Sequence, residues 1–203
     1  MEIKELFDLL NSYTQRTDCD YYGDDAHAWF EYFKEGMTAN GAFKMCLIFE
    51  SLDYVVKIPF SYTRNERENA CEDEIKTYES AKKAGVEKIF LETWFIGFLD
   101  NGCPIYGQAK ADYTVNSLPD SKAKKYERIT KTVTENMRSK VTHGMYDRCV
   151  NRLWIEMFIS LYGKNFARKF EAWTRETRLS DFHNGNIGYR KDKPIILDYN
   201  YCC

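Results

Sequence analysis

Residues 178 to 200, RLSDFHNGNIGYRKDKPIILDYN, put a polar turn, a short charged connection and an apolar strand in immediate succession. Asp181, His183, Asn184, Gly185 and Asn186 crowd into the turn, Arg190 to Lys193 make the connection, and Ile195, Ile196 and Leu197 lead to Asp198. If the segments on either side of the connection pair as a hairpin, Asp181, Asn186 and Asp198 come close together. Three oxygen side chains facing one pocket suit phosphoryl transfer. Hard divalent cations take carboxylate and amide oxygens, and a separate carboxylate orients or deprotonates the attacking hydroxyl. Read in isolation, the same run is a polar turn in which Asp181 and Asn184 satisfy backbone donors and Gly185 or Asn186 supplies a left-handed residue. Asp198 and the elements upstream favour the chemical reading.

Asp181 and Asn186, five positions apart and followed by an apolar strand and Asp198, resemble the catalytic loop and metal-binding Asp of the protein-kinase-like superfamily. The form Asp-x-His-x-x-Asn, then a strand and Asp-Tyr, is closer to the aminoglycoside-phosphotransferase-like and small prokaryotic or viral branches. That resemblance implies Asp181 as the residue facing the acceptor hydroxyl, and Asn186 and Asp198 as ligands of Mg²⁺. His183 would support the loop or contact phosphate, with support the favoured role. Leu179 and Ser180 stand where eukaryotic protein kinases carry His and Arg, and Asp198-Tyr199-Asn200 replaces Asp-Phe-Gly, which puts a switchable activation segment in doubt.

A chain of 203 residues fits one domain, or one domain with two lobes. A hydrophobic fraction of 44%, with 13 Phe, 15 Tyr and 4 Trp, can fill a sizeable core. The net charge of −2 carries no bias towards nucleic acid or anionic membrane. No apolar run approaches the roughly 20 residues of a membrane span, and the amino terminus has acids where a secretion signal needs a basic region. A cytoplasmic protein is expected. The seven cysteines are scattered, odd in number and form no C-x-x-C pair, so reduced thiols are expected.

Ile3, Leu6, Phe7 and Leu10 recur at helical spacing over residues 2 to 13. Strands are predicted over residues 29 to 33, 42 to 50 and 54 to 58, the last two joined tightly at Ser51, Leu52 and Asp53. Lys57 is the odd residue in Tyr54-Val-Val-Lys-Ile-Pro59: it either snorkels from a solvated face or meets an anion in a cleft. The kinase signature Val-Ala-Ile-Lys has this form, and the resemblance implies that Lys57 reaches the α- and β-phosphates of ATP. Gly36 and Gly41, bounding GMTANG, are the candidates for a phosphate-covering loop, against an ordinary turn between strands. Residues 64 to 85 read as a helix stopped by Gly85. By resemblance, this helix carries the acid that pairs with Lys57: Glu74, with Glu72 and Glu68 as alternates. Two more strands, residues 89 to 97 and 103 to 110, flank an Asn-Gly turn. The resemblance makes residues 108 to 111 the hinge, where the backbones of Ala109 and Ala111 meet an adenine edge.

A solvated helix face accounts for the basic cluster of Lys122, Lys124, Lys125 and Arg128, and two helices are predicted between residues 150 and 177. The expected fold is therefore α+β and two-lobed, kinase-like, with a helical extension at about 1 to 28, an antiparallel-sheet lobe at 29 to 110 and a reduced helical lobe at 111 to 203. The family continues beyond the metal-binding Asp through an activation segment, whereas here five residues follow Asp198. Residues 112 to 165 and the first helix would supply the missing buttress, and a protein partner or homodimer could cover the open side. The expected activity is ATP- and Mg²⁺-dependent phosphotransfer to a hydroxyl of a protein or small molecule. The alternatives are a pseudokinase that binds nucleotide or a partner protein, and, less favoured, transfer of AMP.

Overall fold

The computed structural model describes residues 1 to 16, 37 to 40, 43 to 59, 69 to 114, 122, 124, 161 to 177, 179 and 186 to 199. They are mixed α+β, in two compact units: Met1–Ile75 with Glu92–Lys110, and Lys76–Leu91 with Ala111–Cys203.

The first unit holds helix α1 (Ile3–Arg16), strands β1 (Met37–Asn40), β2 (Lys44–Ile48), β3 (Tyr54–Pro59), β4 (Thr93–Phe98) and β5 (Pro104–Ala109), and the first turns of helix α2 (Ala70–Ala84). The strands form one antiparallel sheet in the order β1-β2-β3-β5-β4, so β3 is central. Alternation along the strands sends Met45, Leu47, Val56, Ile58 and Ile105 into one core with Leu6, Leu10 and Tyr13 of α1. Burying each such side chain contributes roughly 1.5–3 kcal/mol. Ile3, expected on the apolar face of α1, is exposed; Tyr13, one turn beyond Leu10, is buried instead. Period two then dictates that Lys57, between Val56 and Ile58, points to the opposite face.

Three predicted boundaries move. The stretch between Gly36 and Gly41 was expected as a loop, yet Met37 to Asn40 pair with β2 from Met37↔Ile48 to Asn40↔Met45. Gly36, Gly41 and the strand predicted over residues 29 to 33 lie outside the described residues. The helix expected from residue 64 begins at Ala70. Asn69 caps it, its Oδ1 accepting the N–H of Cys71 at 3.0 Å and of Glu72 at 3.3 Å. At its other end Gly85, at φ +69°, closes a Schellman motif in which the N–H of Val86 reaches the carbonyl of Ala81 at 2.9 Å. The strand expected from residue 89 starts at Thr93. Glu87–Ile89 is a 3-10 turn, and Ile89 and Phe90 are buried in the core of the second unit.

That second unit contains helix α3 (Lys164–Thr177) and a sheet of β6 (Tyr113–Thr114), β7 (Ile187–Arg190) and β8 (Lys193–Ile196), in the order β6-β7-β8. The core is aromatic. Phe166, Phe170 and Trp173 follow one face of α3, and Phe90 packs edge-on to Trp173 with ring centroids 5.4 Å apart. Strands β7 and β8 form a hairpin in register Ile187↔Ile196 to Arg190↔Lys193. Its two-residue turn places Lys191 and Asp192 at φ +51° and +61°, the left-handed pair of a type I′ turn. No glycine eases that geometry. The Asp112 carboxylate accepts the Lys191 N–H at 2.6 Å and helps to hold it.

Candidate functional site

On the face of the first unit's sheet opposite α1, Lys57 meets α2. Its Nζ donates to both carboxylate oxygens of Glu74 at 2.8 Å. Lys57 is 2% exposed and Glu74 fully buried. Of the three acids weighed for this partner, Glu74 alone contacts Lys57 among the described residues: Glu72 accepts a hydrogen bond from the Tyr106 hydroxyl at 2.8 Å, and Glu68 lies outside them. An ion pair this deep is held by geometry. Taking two charges from water is offset only when their remaining hydrogen-bonding capacity is met, and here it is: Thr93 Oγ1 donates to Glu74 Oε2 at 2.8 Å and accepts from Gln108 Nε2 at 3.0 Å.

A second lysine, not singled out from the sequence, completes the cluster. Lys44, at the start of β2 and 2% exposed, places its Nζ 2.9 Å from Glu74 Oε1. The register explains it: Cys46 lies opposite Lys57, and Lys44 opposite Pro59, so Lys44 is two residues from the Cys46–Lys57 pair on the same face. The available signal was that Lys44, like Lys57, is the one charge in an apolar strand, KMCLI beside YVVKIP. Tyr106 extends the network, pairing with Lys57 in register and accepting from Asn69 Nδ2 at 2.9 Å. Burial, and then the Glu72 carboxylate, push the Tyr106 phenol well above its ordinary value. Burial and then Glu74 also push the Cys71 thiol well up, which leaves it an inert thiol beside the cluster.

The predicted hinge residues fall on either side of the division between units. Ala109 belongs to the first, and its N–H already donates to the Glu92 carbonyl at 3.1 Å, so that donor is not offered to a ligand edge. Ala111 belongs to the second, where a Cβ added at Gly188 would meet the Ala111 side chain at 2.9 Å; glycine at 188 permits the close approach.

In the second unit the β7–β8 hairpin brings the predicted metal ligands to one end. The Leu197 N–H donates to the Asn186 carbonyl at 2.8 Å, so Asn186 immediately precedes β7 where Asp198 follows β8. Asn186 is buried and Asp198 half-buried. Tyr199 anchors the next position: it is buried, its ring centroid is 4.9 Å from that of Phe90, and its hydroxyl donates to the Leu91 carbonyl. Asp181 and His183 lie outside the described residues. Among the described residues no three His, Cys, Asp or Glu side chains converge as a metal cluster. An amide oxygen and a carboxylate at one hairpin end still fit Mg²⁺, which binds through one or two protein oxygens and takes the rest of its shell from water and phosphate. No helix among the described residues is long and apolar enough to cross a membrane.

No family model matches the chain, and no curated protein or solved structure is significantly similar to it.

Proposed function

We propose that the chain is a kinase-like, two-lobed phosphotransferase that uses ATP and Mg²⁺ to phosphorylate a hydroxyl of a protein or small molecule in the cytoplasm. The observation that carries this reading is the Lys57–Glu74 pair, a strand lysine and a helix glutamate joined in a buried polar cluster. Structural need alone does not call for it, since an apolar pair of the same volume would fill that space at equal or lower cost. In the proposed mechanism Lys57, oriented by Glu74, holds the α- and β-phosphates. Asn186 and Asp198 hold the metal, which neutralises charge on the transferred group. Asp181 aligns the acceptor hydroxyl and takes its proton.

The engaged N–H of Ala109 favours a second reading, in which the same fold binds a partner protein and not ATP. Thermal unfolding with and without ATP and Mg²⁺ separates the two. A ligand at a hundred times its Kd adds about 2.7 kcal/mol, and at about 2–4 °C per kcal/mol the midpoint rises by roughly 5–10 °C. Lys57→Ala and Asp198→Ala abolish the rise, whereas Asp181→Asn keeps it and loses transfer of labelled γ-phosphate. No rise at saturating nucleotide overturns the kinase mechanism for this chain.

A further inference from the structure

We propose that Lys44 is a second phosphate-binding lysine, which together with Lys57 makes the first unit's polar cluster a two-ammonium site for a polyphosphate chain. The proposal rests on the kinase-like reading for the identity of the ligand as ATP, but its geometry stands within one unit. Lys44 and Lys57 contact the same oxygen, Glu74 Oε1, at 2.9 and 2.8 Å. They are equally buried and come from neighbouring strands on one sheet face. Two ammonium groups gathered on one oxygen are held close together, and a multiply charged anion is the ligand whose several oxygens can meet both at once.

The strand register places Lys44 beside the stretch read from sequence as the phosphate cover. β1 runs from Met37 to Asn40 and β2 starts at Lys44 itself, so only residues 41 to 43 separate the strands. Residues 37 to 40, read from sequence as the span of a phosphate-covering loop, are committed to the β1–β2 ladder. Lys44 opens β2 immediately after that connection, two residues along the sheet face from the position opposite Lys57. A side-chain ammonium there replaces the backbone N–H groups with which a glycine-rich loop would cradle phosphate. Glu74 serves both lysines: it holds them in place, and it is itself fixed by Thr93, which is fixed by Gln108.

The test is equilibrium binding of ATP, inorganic tripolyphosphate and adenosine to wild type, Lys44→Met, Lys44→Arg and Lys57→Met, with circular dichroism to check folding. Lys44→Met keeps the stem's volume and leaves Glu74 its contacts with Lys57 and Thr93, so the sheet persists; Lys44→Arg keeps the charge if Met does not fold. The expected result is a loss of tenfold or more in affinity for ATP and for tripolyphosphate in Lys44→Met, partial recovery in Lys44→Arg, and unchanged adenosine binding. Wild-type affinity for both phosphates in Lys44→Met, with a loss in Lys57→Met, overturns the role of Lys44 and leaves the kinase-like reading standing. Tripolyphosphate binding that needs Lys44, with ATP bound no more tightly and adenosine not at all, supports the two-lysine site and overturns the nucleotide reading. Failure of wild type to bind any of the three overturns both.

Discussion

Replacing Glu74 by Gln tests whether the buried cluster is held by charge. The substitution keeps the side chain's volume and one oxygen acceptor but removes the single carboxylate that Lys44 and Lys57 share, at a position with no solvent exposure. Deleting one partner of a buried ion pair costs about 3–5 kcal/mol, because the remaining charge is left uncompensated. With two lysines on the deleted carboxylate, the upper half of that range is expected. Against a total stability of about 5–15 kcal/mol this is about a quarter or more. In urea, with a slope near 2 kcal/mol per molar, the midpoint falls by roughly 2–2.5 M. The assay is urea unfolding followed by far-UV circular dichroism, with Lys44→Met/Lys57→Met/Glu74→Leu as the partner measurement. The triple variant removes all three charges while keeping the volumes, so its stability returns to within about 1–2 kcal/mol of wild type. A loss under about 1 kcal/mol in Glu74→Gln, or a triple variant as weak as the single, would refute the view that electrostatics orders this face of the sheet.

Tyr106 and Lys191 carry the further predictions. The Tyr106 phenol is raised in the folded state by burial and by Glu72, while in the unfolded chain it ionises near pH 10. Above about pH 10 the folded protein therefore holds a proton that the unfolded chain has lost, and stability falls as pH rises; the fall measured between pH 9 and 11 is shallower in Tyr106→Phe. That variant also loses about 1–2 kcal/mol at neutral pH, because the Tyr106 hydroxyl joins Asn69, the α2 cap, to Glu72. At the β7–β8 turn, Lys191→Asn puts a residue that tolerates left-handed backbone at φ +51° and raises the thermal midpoint by a few degrees, about 0.5–1 kcal/mol. An unchanged or lowered midpoint would show that Asp112 already removes the strain at Lys191.

What the sequence made legible follows from the range of the interaction behind each feature. Lys57 stood out because a lone charge in an apolar strand is a local anomaly, and the β7–β8 hairpin because two apolar runs flank a short polar connection. Lys44 carries the same local anomaly as Lys57, but its meaning depends on register: only the pairing of Cys46 with Lys57 brings it to Glu74. Sequence alone also could not separate Ile89, Phe90 and Leu91 from the strand beginning at Thr93, since an apolar run does not say which core receives it. Ile89 and Phe90 go to the aromatic core around α3. Thr93 turns to Glu74. The chain passes from the second unit to the first between Leu91 and Glu92, two residues after the 3-10 turn ends.

Tyr199 shows how such a local departure acquires a physical reason. As a letter in Asp-Tyr-Asn it is only a deviation from Asp-Phe-Gly, and the absent glycine reads as a loss of mobility. In the fold its ring packs on Phe90 and its hydroxyl donates to the Leu91 carbonyl. A Phe there would keep the packing but leave that bond unmade, at a cost of about 1–3 kcal/mol for a buried acceptor left without its partner. Leu91 in turn donates its N–H to the Ile196 carbonyl at 3.4 Å, so β8 and Tyr199 are both tied to the segment after the 3-10 turn, and Asp198 lies between those two ties. The residue that follows Asp198 is thus selected for anchoring. A carboxylate held on both sides is suited to one fixed position.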